Sequence, residues 1–343
     1  MYDPFGYPMH GYGDDGLIGG LGHWYLLHSD GQLSSSRGPS TSGIAAHGLS
    51  NSPLSTLVGT TTGLEIDLMW DVSVRTASDW SAIESAVTTA AKIFTSAFSD
   101  HVVLNIAVGL GEVGGALLGS GALGESESNG YIVNYQTAES ALTTADAGLL
   151  TSHGSQTSVL ADAALSAANF FITSAEAKAL HLVSGASTAI DGYIGLTNSP
   201  ALLDFPANGA AIKSTQYDAV GVAAHEISEV MGRIGMQGET LGQFKHVYTP
   251  LDLFRYSAVN TPALSVGNGY FSIDRGKTNL NTYNNPANGG DSADWASRSS
   301  NTLDALDAFA NPGVLMNLTA TDLLQVASLG YQVVAGALHT TAA

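Results

Sequence analysis

His225, Glu226 and Glu229 stand within the stretch Val222-Ala-Ala-His-Glu-Ile-Ser-Glu-Val-Met-Gly-Arg233. The stretch is long enough for about three helical turns and closes at a glycine. On a helix, residues four apart share a face, so His225 and Glu229 stack and Glu226 lies one step round. Two donors at that spacing, with a carboxylate beside the first, form the layout of a zinc-hydrolase helix. Zinc accepts imidazole nitrogen and carboxylate oxygen, and a catalytic site commonly keeps three protein ligands and one open position for water. Glu226 is then the candidate base, taking a proton from that water and passing it to a leaving amine. The second histidine usual in such helices is absent, and Glu229 occupies its place. The plainer alternative is an exposed helix face that happens to carry these three residues. The flanking Val222, Ala223, Ala224, Ile227, Val230 and Met231 argue instead for a mostly buried helix. Buried carboxylates are rare unless paired or bound to metal. Arg233 offers a partner for such a carboxylate, or else a solvated charge suited to the helix C-terminus.

The rest of the chain narrows the chemistry. It has no cysteine, so thiolate sites and disulfides are excluded and any zinc must rest on His, Asp, Glu or Tyr. Eleven basic residues against 30 acidic ones give a formal net charge of −19, which speaks against nucleic acid or an anionic membrane as partner. With 343 residues and 44% apolar content the chain can bury a sizeable core. The longest apolar stretch, 102–124, is interrupted by Asn105 and Glu112 and predicts no membrane span. No basic leader opens the sequence, so no secretory signal is visible.

The elements that must position the helix follow from pattern. Residues 1–60 read as a Gly/Ser/aromatic extension, with a linker at 34–40. The apolar run Leu17 to Leu27 within it could dock on the chain's own domain or on a neighbour. The folded body is expected from about Gly63. Strands are predicted over 64–71, 102–108, 130–135 and 189–196, and helices from the Ser78-Asp79-Trp80 cap to Phe98, in two pieces within 137–165, and over 173–182. Gly235, Gly238 and Gly242 predict a flexible loop, and Leu251 to Tyr256 a short strand or turn. Thr319-Ala-Thr-Asp322 caps a last helix ended by Gly330. Strand–helix–strand order followed by more strands and a long helix reads as α+β, of α/β-like character, with a mixed sheet.

Several segments together carry a resemblance. They are Gly63-Leu-Glu-Ile-Asp-Leu68, Gly109-Leu-Gly-Glu-Val-Gly-Gly115, Ala122-Leu-Gly-Glu-Ser126, His225 to Arg233, Tyr248-Thr-Pro-Leu-Asp-Leu-Phe-Arg-Tyr256, Tyr270-Phe-Ser-Ile-Asp274 and Gly289-Gly-Asp-Ser-Ala-Asp-Trp295. With them the chain resembles a bacterial family of predicted zinc metalloproteases related to the metzincins. The resemblance implies a metzincin-like zincin fold: a twisted mixed sheet with helices in an N-terminal lobe (61–233), a smaller irregular C-terminal lobe (234–335), a cleft between them and a tail (336–343). It implies one zinc ion, a protein or peptide substrate and an extracellular setting. The metzincin helix reads His-Glu-x-x-His-x-x-Gly-x-x-His. His225, Glu226 and Gly232 fit it, whereas Glu229 replaces the second histidine and Gly235 the third.

The third ligand must therefore come from elsewhere. His246, on a loop, and Asp252, inside the family-like segment, compete for the role, and the reading leans to Asp252. Each also has a plain alternative, His246 as a solvated loop residue and Asp252 as the brace of a turn. Tyr256 would stabilise an oxyanion if it faces the cleft and is otherwise core. Asp291 and Asp294 could hold calcium, although their spacing matches no known calcium loop and an Asp/Gly turn explains them too. The function expected is a zinc-dependent endopeptidase. Its competitors are a non-catalytic surface or assembly protein on a degenerate protease scaffold, and a metal-binding protein without hydrolysis. The extension 1–60 is expected to cover the cleft or to mediate self-association.

Overall fold

The computed structural model describes residues 24–28, 33–34, 54–145, 165–199, 201–205, 211–296 and 304–339. In chain order, β1 (Trp24–His28) and β2 (Leu33–Ser34) form a hairpin, and β3 (Ser55–Gly59) pairs antiparallel with β4 (Glu65–Trp70). Helices α1 (Val72–Arg75) and α2 (Trp80–Ala97) carry the chain to β5 (Val103–Leu110), parallel to β4. A short hairpin, β6 (Glu112–Val113) and β7 (Ala116–Leu117), leads to the long β8 (Gly124–Asn134). Then come α3 (Tyr135–Ala145), β9 (Asn169–Thr173), α4 (Ser174–Ala179) and β10 (Gly192–Leu196). The parallel pair β11 (Leu203–Asp204) and β12 (Tyr217–Asp218) precedes α5 (Ala219–Val230). The remainder holds β13 (Glu239–Leu241), β14 (Phe244–Tyr248), a 3-10 turn at Pro250–Phe254, the short strands β15 (Arg255–Ala258), β16 (Thr261–Pro262), β17 (Tyr270–Phe271) and β18 (Asn281–Thr282), and α6 (Ala320–Ala327).

One large mixed sheet organises these elements, in the order β13-β14-β9-β8-β10-β5-β4-β3, with β1 also on β8. The molecule is α+β. Period-2 patterning places the sheet's apolar face: Ile66, Leu68 and Trp70 of β4 are fully buried, as are Leu104, Ile106 and Val108 of β5. Helix α2 presents Ile83, Val87, Ala90, Ala91 and Phe94 to this core at helical spacing and packs against α5. Helix α6 opens with a capping box, Thr319 and Asp322 each bonding the other's backbone amide.

Several sequence expectations are corrected. The sheet begins ahead of residue 61, since β3 is its edge strand, and extends past residue 233, since β14 pairs parallel with β9. The expected flexible loop around Gly238 and Gly242 is the hairpin β13–β14. Leu241 and Val247 fasten it by filling a small cluster with Phe171 and Met236. The strand expected at 130–135 is the end of a longer one, β8, which starts at Gly124 and stops at Asn134, where α3 takes over. The polar run Glu125-Ser-Glu-Ser128 hides it because both faces of β8 are polar there. Helix α2 starts at the expected place, yet Asp79 makes no side-chain cap bond. Of the two helices expected within 137–165, α3 is described and residues 146–164 lie outside the described residues; of the linker expected at 34–40 only Ser34 is described, as the end of β2.

Candidate metal centre

Helix α5 is the spine of the site. Asp218 caps it, accepting the Val220 amide at 3.0 Å, and the same carboxylate accepts the Met316 amide at 3.0 Å. Apolar residues and alanines seal the helix between α2 and the sheet, so its polar residues are held inside the protein. Glu226 and Glu229 are 6% and 3% exposed, and the His225 side chain is 16% exposed.

Asp294, on the segment between β18 and α6, completes a cluster with them. One ligand atom each from His225, Glu229 and Asp294 lies within 4.8 Å of the others, the single group of this kind among the described residues. His225 Nε2 is 3.4 Å from Glu229 Oε1 and 3.3 Å from Asp294 Oδ1. The other ring nitrogen, Nδ1, stands 2.9 Å from the Ala305 carbonyl oxygen. A carbonyl only accepts, so Nδ1 carries a proton. In neutral imidazole Nε2 is then a lone pair aimed at two carboxylate oxygens. Three electron-rich atoms face one another, an arrangement that requires a proton or a cation between them.

Arg233 is the counterion the chain itself supplies. Fully buried, it donates from Nη1 to Asp294 Oδ1 at 2.6 Å, from Nη2 to Glu229 Oε1 at 3.3 Å, and from Nε to Ser228 Oγ at 2.7 Å. Ser126 of β8 donates to Glu229 Oε2 at 2.6 Å, fixing that carboxylate from the sheet side. Glu226 accepts no hydrogen bond among the described residues. Its carboxyl lies against Gly124, where a Cβ would come within 2.6 Å of Oε1.

The electrostatics follow from crowding. Burial pulls the His225 imidazole down, but the charge of Asp294 and the hydrogen bonds of Asp294 and Glu229 together outweigh it, and the ring is held well above its ordinary 6.5. Burial pushes Glu226 well above the ordinary carboxyl range, and Glu229 adds to the rise. Asp291 is pushed up to about 8, first by burial and then by the charges of Glu229 and Asp294. Asp294 is held below the usual range: burial opposes, and His225 and Arg233 prevail. Glu226, Glu229, Asp291 and Asp294 thus share a poorly hydrated space with one guanidinium and one imidazole.

The other expected site residues are placed as follows. Asp252 is 2% exposed and does not join the cluster. Its Oδ2 accepts the amides of Met236, Gln237 and Thr249 at 2.9–3.0 Å, and its Oδ1 accepts Gln237 Nε2 at 3.1 Å. Both oxygens are committed to bracing the chain just after α5. His246 is exposed, in β14, and also stands outside the cluster. Tyr256 is buried in β15, paired with Tyr270, its ring against Gly276. The sequence left Asp294 between a calcium ligand and an Asp/Gly turn and did not connect it with His225, nor did it disclose the roles of Ser126 and the Ala305 carbonyl. Asp294 and Ser126 lie in segments that carry the resemblance set out above. A backbone carbonyl has no residue-type signal at all.

No helix among the described residues is long and apolar enough to cross a membrane. No protein-family model, no curated protein and no solved structure matches this chain.

Proposed function

We propose that His225, Glu229 and Asp294 hold a zinc ion and that the chain is a zinc-dependent endopeptidase, with Glu226 as general base and acid. The observation that carries this reading is the convergence of His225 Nε2, Glu229 Oε1 and Asp294 Oδ1, three acceptors facing one point. The donors fit the metal, since zinc takes imidazole nitrogen and carboxylate oxygen and a catalytic site leaves its remaining position open. Bound there, zinc supplies the Lewis acidity that acidifies water and polarises a peptide carbonyl.

The chain's own groups do the rest. The Ala305 carbonyl fixes the His225 ring through Nδ1, and Ser126 and Arg233 orient the two carboxylates. A carboxylate oxygen has more than one lone pair, so Arg233 can brace Asp294 and Glu229 while they serve as ligands. Glu226 follows His225 directly, and burial with the charge of Glu229 raises its pKa, which makes it a stronger proton acceptor than an ordinary carboxylate. By the resemblance set out above, the substrate is a protein or peptide and the setting extracellular.

Arg233 also favours a second reading. Its guanidinium already bonds the two carboxylate oxygens nearest His225 Nε2. A chain whose internal cation suffices would be a non-catalytic surface or assembly protein. Elemental analysis of protein purified without added metal, beside Glu229→Ala, separates the two. About one zinc per chain, lost in the variant, supports the enzyme, and Glu226→Gln should then keep the metal while peptidase activity falls on the order of 10²–10⁴-fold. No metal in the wild type, even after zinc is offered, sinks the enzyme reading.

A further inference from the structure

A second group of oxygen donors lies where β4 and β5 end. Asp71 follows β4 and is 5% exposed. Its Oδ1 accepts the Ser73 amide at 2.7 Å, while its buried Oδ2 has no hydrogen-bond partner. Glu112 opens the hairpin after β5. Ser73 Oγ donates to Glu112 Oε1 at 3.2 Å and accepts the Leu110 amide at 3.0 Å, and the Gly115 amide donates to Glu112 Oε2 at 2.6 Å. One residue, Ser73, therefore bonds both carboxylates, to Asp71 through its amide and to Glu112 through its hydroxyl. Among the described residues neither carboxylate is in an ion pair. Burial pushes the Glu112 carboxyl up, the Gly115 amide pulls it back, and the charge of Asp71 adds to the rise. The close fit is built in: a Cβ at Gly109 would come within 2.1 Å of Glu112 Oε1.

We propose that Asp71, Ser73 and Glu112 form a calcium site. A buried carboxylate oxygen with no donor, beside a second carboxylate and a hydroxyl, asks for a cation, and the donors are all oxygen. Calcium takes six to eight oxygens in a flexible shell, whereas zinc prefers sites with nitrogen or sulfur. Three side chains leave the rest of that shell to water and backbone carbonyls, so the affinity is modest, on the order of 10⁻⁴–10⁻³ M. The ion ties the start of α1 to the hairpin β6–β7. That hairpin feeds into β8 at Gly124, the residue against Glu226. The site rests on none of the residues assigned to zinc.

The test is thermal unfolding of the full chain, stripped with chelator and titrated with calcium or magnesium. Calcium at about 10 mM should raise Tm by about 2–4 °C, and magnesium less. Asp71→Asn and Glu112→Gln, made separately, should each abolish the rise, and Asp294→Asn should leave it intact. Asp71→Asn keeps an acceptor for the Ser73 amide, and Glu112 is only half-buried, so at least the second variant retains the fold. No rise up to about 10 mM calcium, an equal rise in both variants, or a rise lost only in Asp294→Asn would each overturn the proposal.

Discussion

Arg233 and Asp294 meet across 61 positions of sequence, Nη1 to Oδ1 at 2.6 Å, with neither side chain exposed beyond 5%. The bond joins the end of the spine helix to the segment that brings in the third acidic group. It also decides how the site behaves without metal, because it is the main compensation for the carboxylates around it. Removing one partner of a buried pair leaves the other charge stranded, which costs about 3–5 kcal/mol. Arg233→Met should lower the stability of metal-free protein by that order in urea titrations. Zinc should restore part of the loss if the cluster binds it. A variant as stable as the wild type would show that Arg233 is dispensable ballast.

Asp291 supplies a pH test. Its folded pKa of about 8 lies above the ordinary 3.8, so the folded state holds the proton more tightly than the unfolded chain. Its contribution is full below about pH 4 and is lost as pH rises towards 8. Asp291→Asn should therefore stabilise metal-free protein at pH 8, do little near pH 4, and flatten the decline between them. At pH 8 and above, where Asp291 ionises, the same substitution should also weaken zinc binding, because there it removes negative charge from the cluster. Denaturant midpoints measured across that range, with and without zinc, check both halves.

Gly124 stands where a methyl group would strike Glu226. Gly124→Ala places Cβ within 2.6 Å of Oε1 and 2.8 Å of Val222 Cγ1, so the Glu226 side chain must move. If Glu226 is the base, the rate should fall on the order of 10²-fold, the usual effect of misplacing a catalytic group by about 1 Å, while zinc content stays unchanged. Equal activity at equal zinc would remove Glu226 from the mechanism.

Asp100 lies away from the cluster, at the end of α2, where its carboxylate accepts the Gln332 amide. Burial raises its pKa to about 6 against hydrogen bonds that lower it. The raised value means stability is full below the unfolded 3.8 and falls as pH climbs through 6. Asp100→Asn should add about 1–3 kcal/mol at pH 7 and nothing near pH 4. Thermal unfolding at the two pH values reads it directly.

What the sequence discloses here depends on whether a role is local. The helix carrying His225, Glu226 and Glu229 is legible because spacing and apolar flanks act within about a dozen residues. So are β4, β5 and α2, and the Thr319 cap. The identity of the partner facing His225 is a long-range fact. Asp252 and Asp294 both lie in acid-bearing segments, and only the fold decides that the first bonds three amides while the second turns to Arg233. Strand β8 is hidden for a related reason. Ser126 looks like loop composition until Glu229 appears opposite it.

The distance between Arg233 and Asp294 along the chain sets an order of events. A ribosome releases the spine helix well before the third acidic group, so a chain halted anywhere between them has two donors, a guanidinium without its Asp294 partner and no complete site. Closing that gap completes the donor set, while the Ala305 carbonyl that fixes His225 and the whole of α6 are still to come. If the centre is catalytic, a product truncated before Asp294 lacks the third donor and is incompetent.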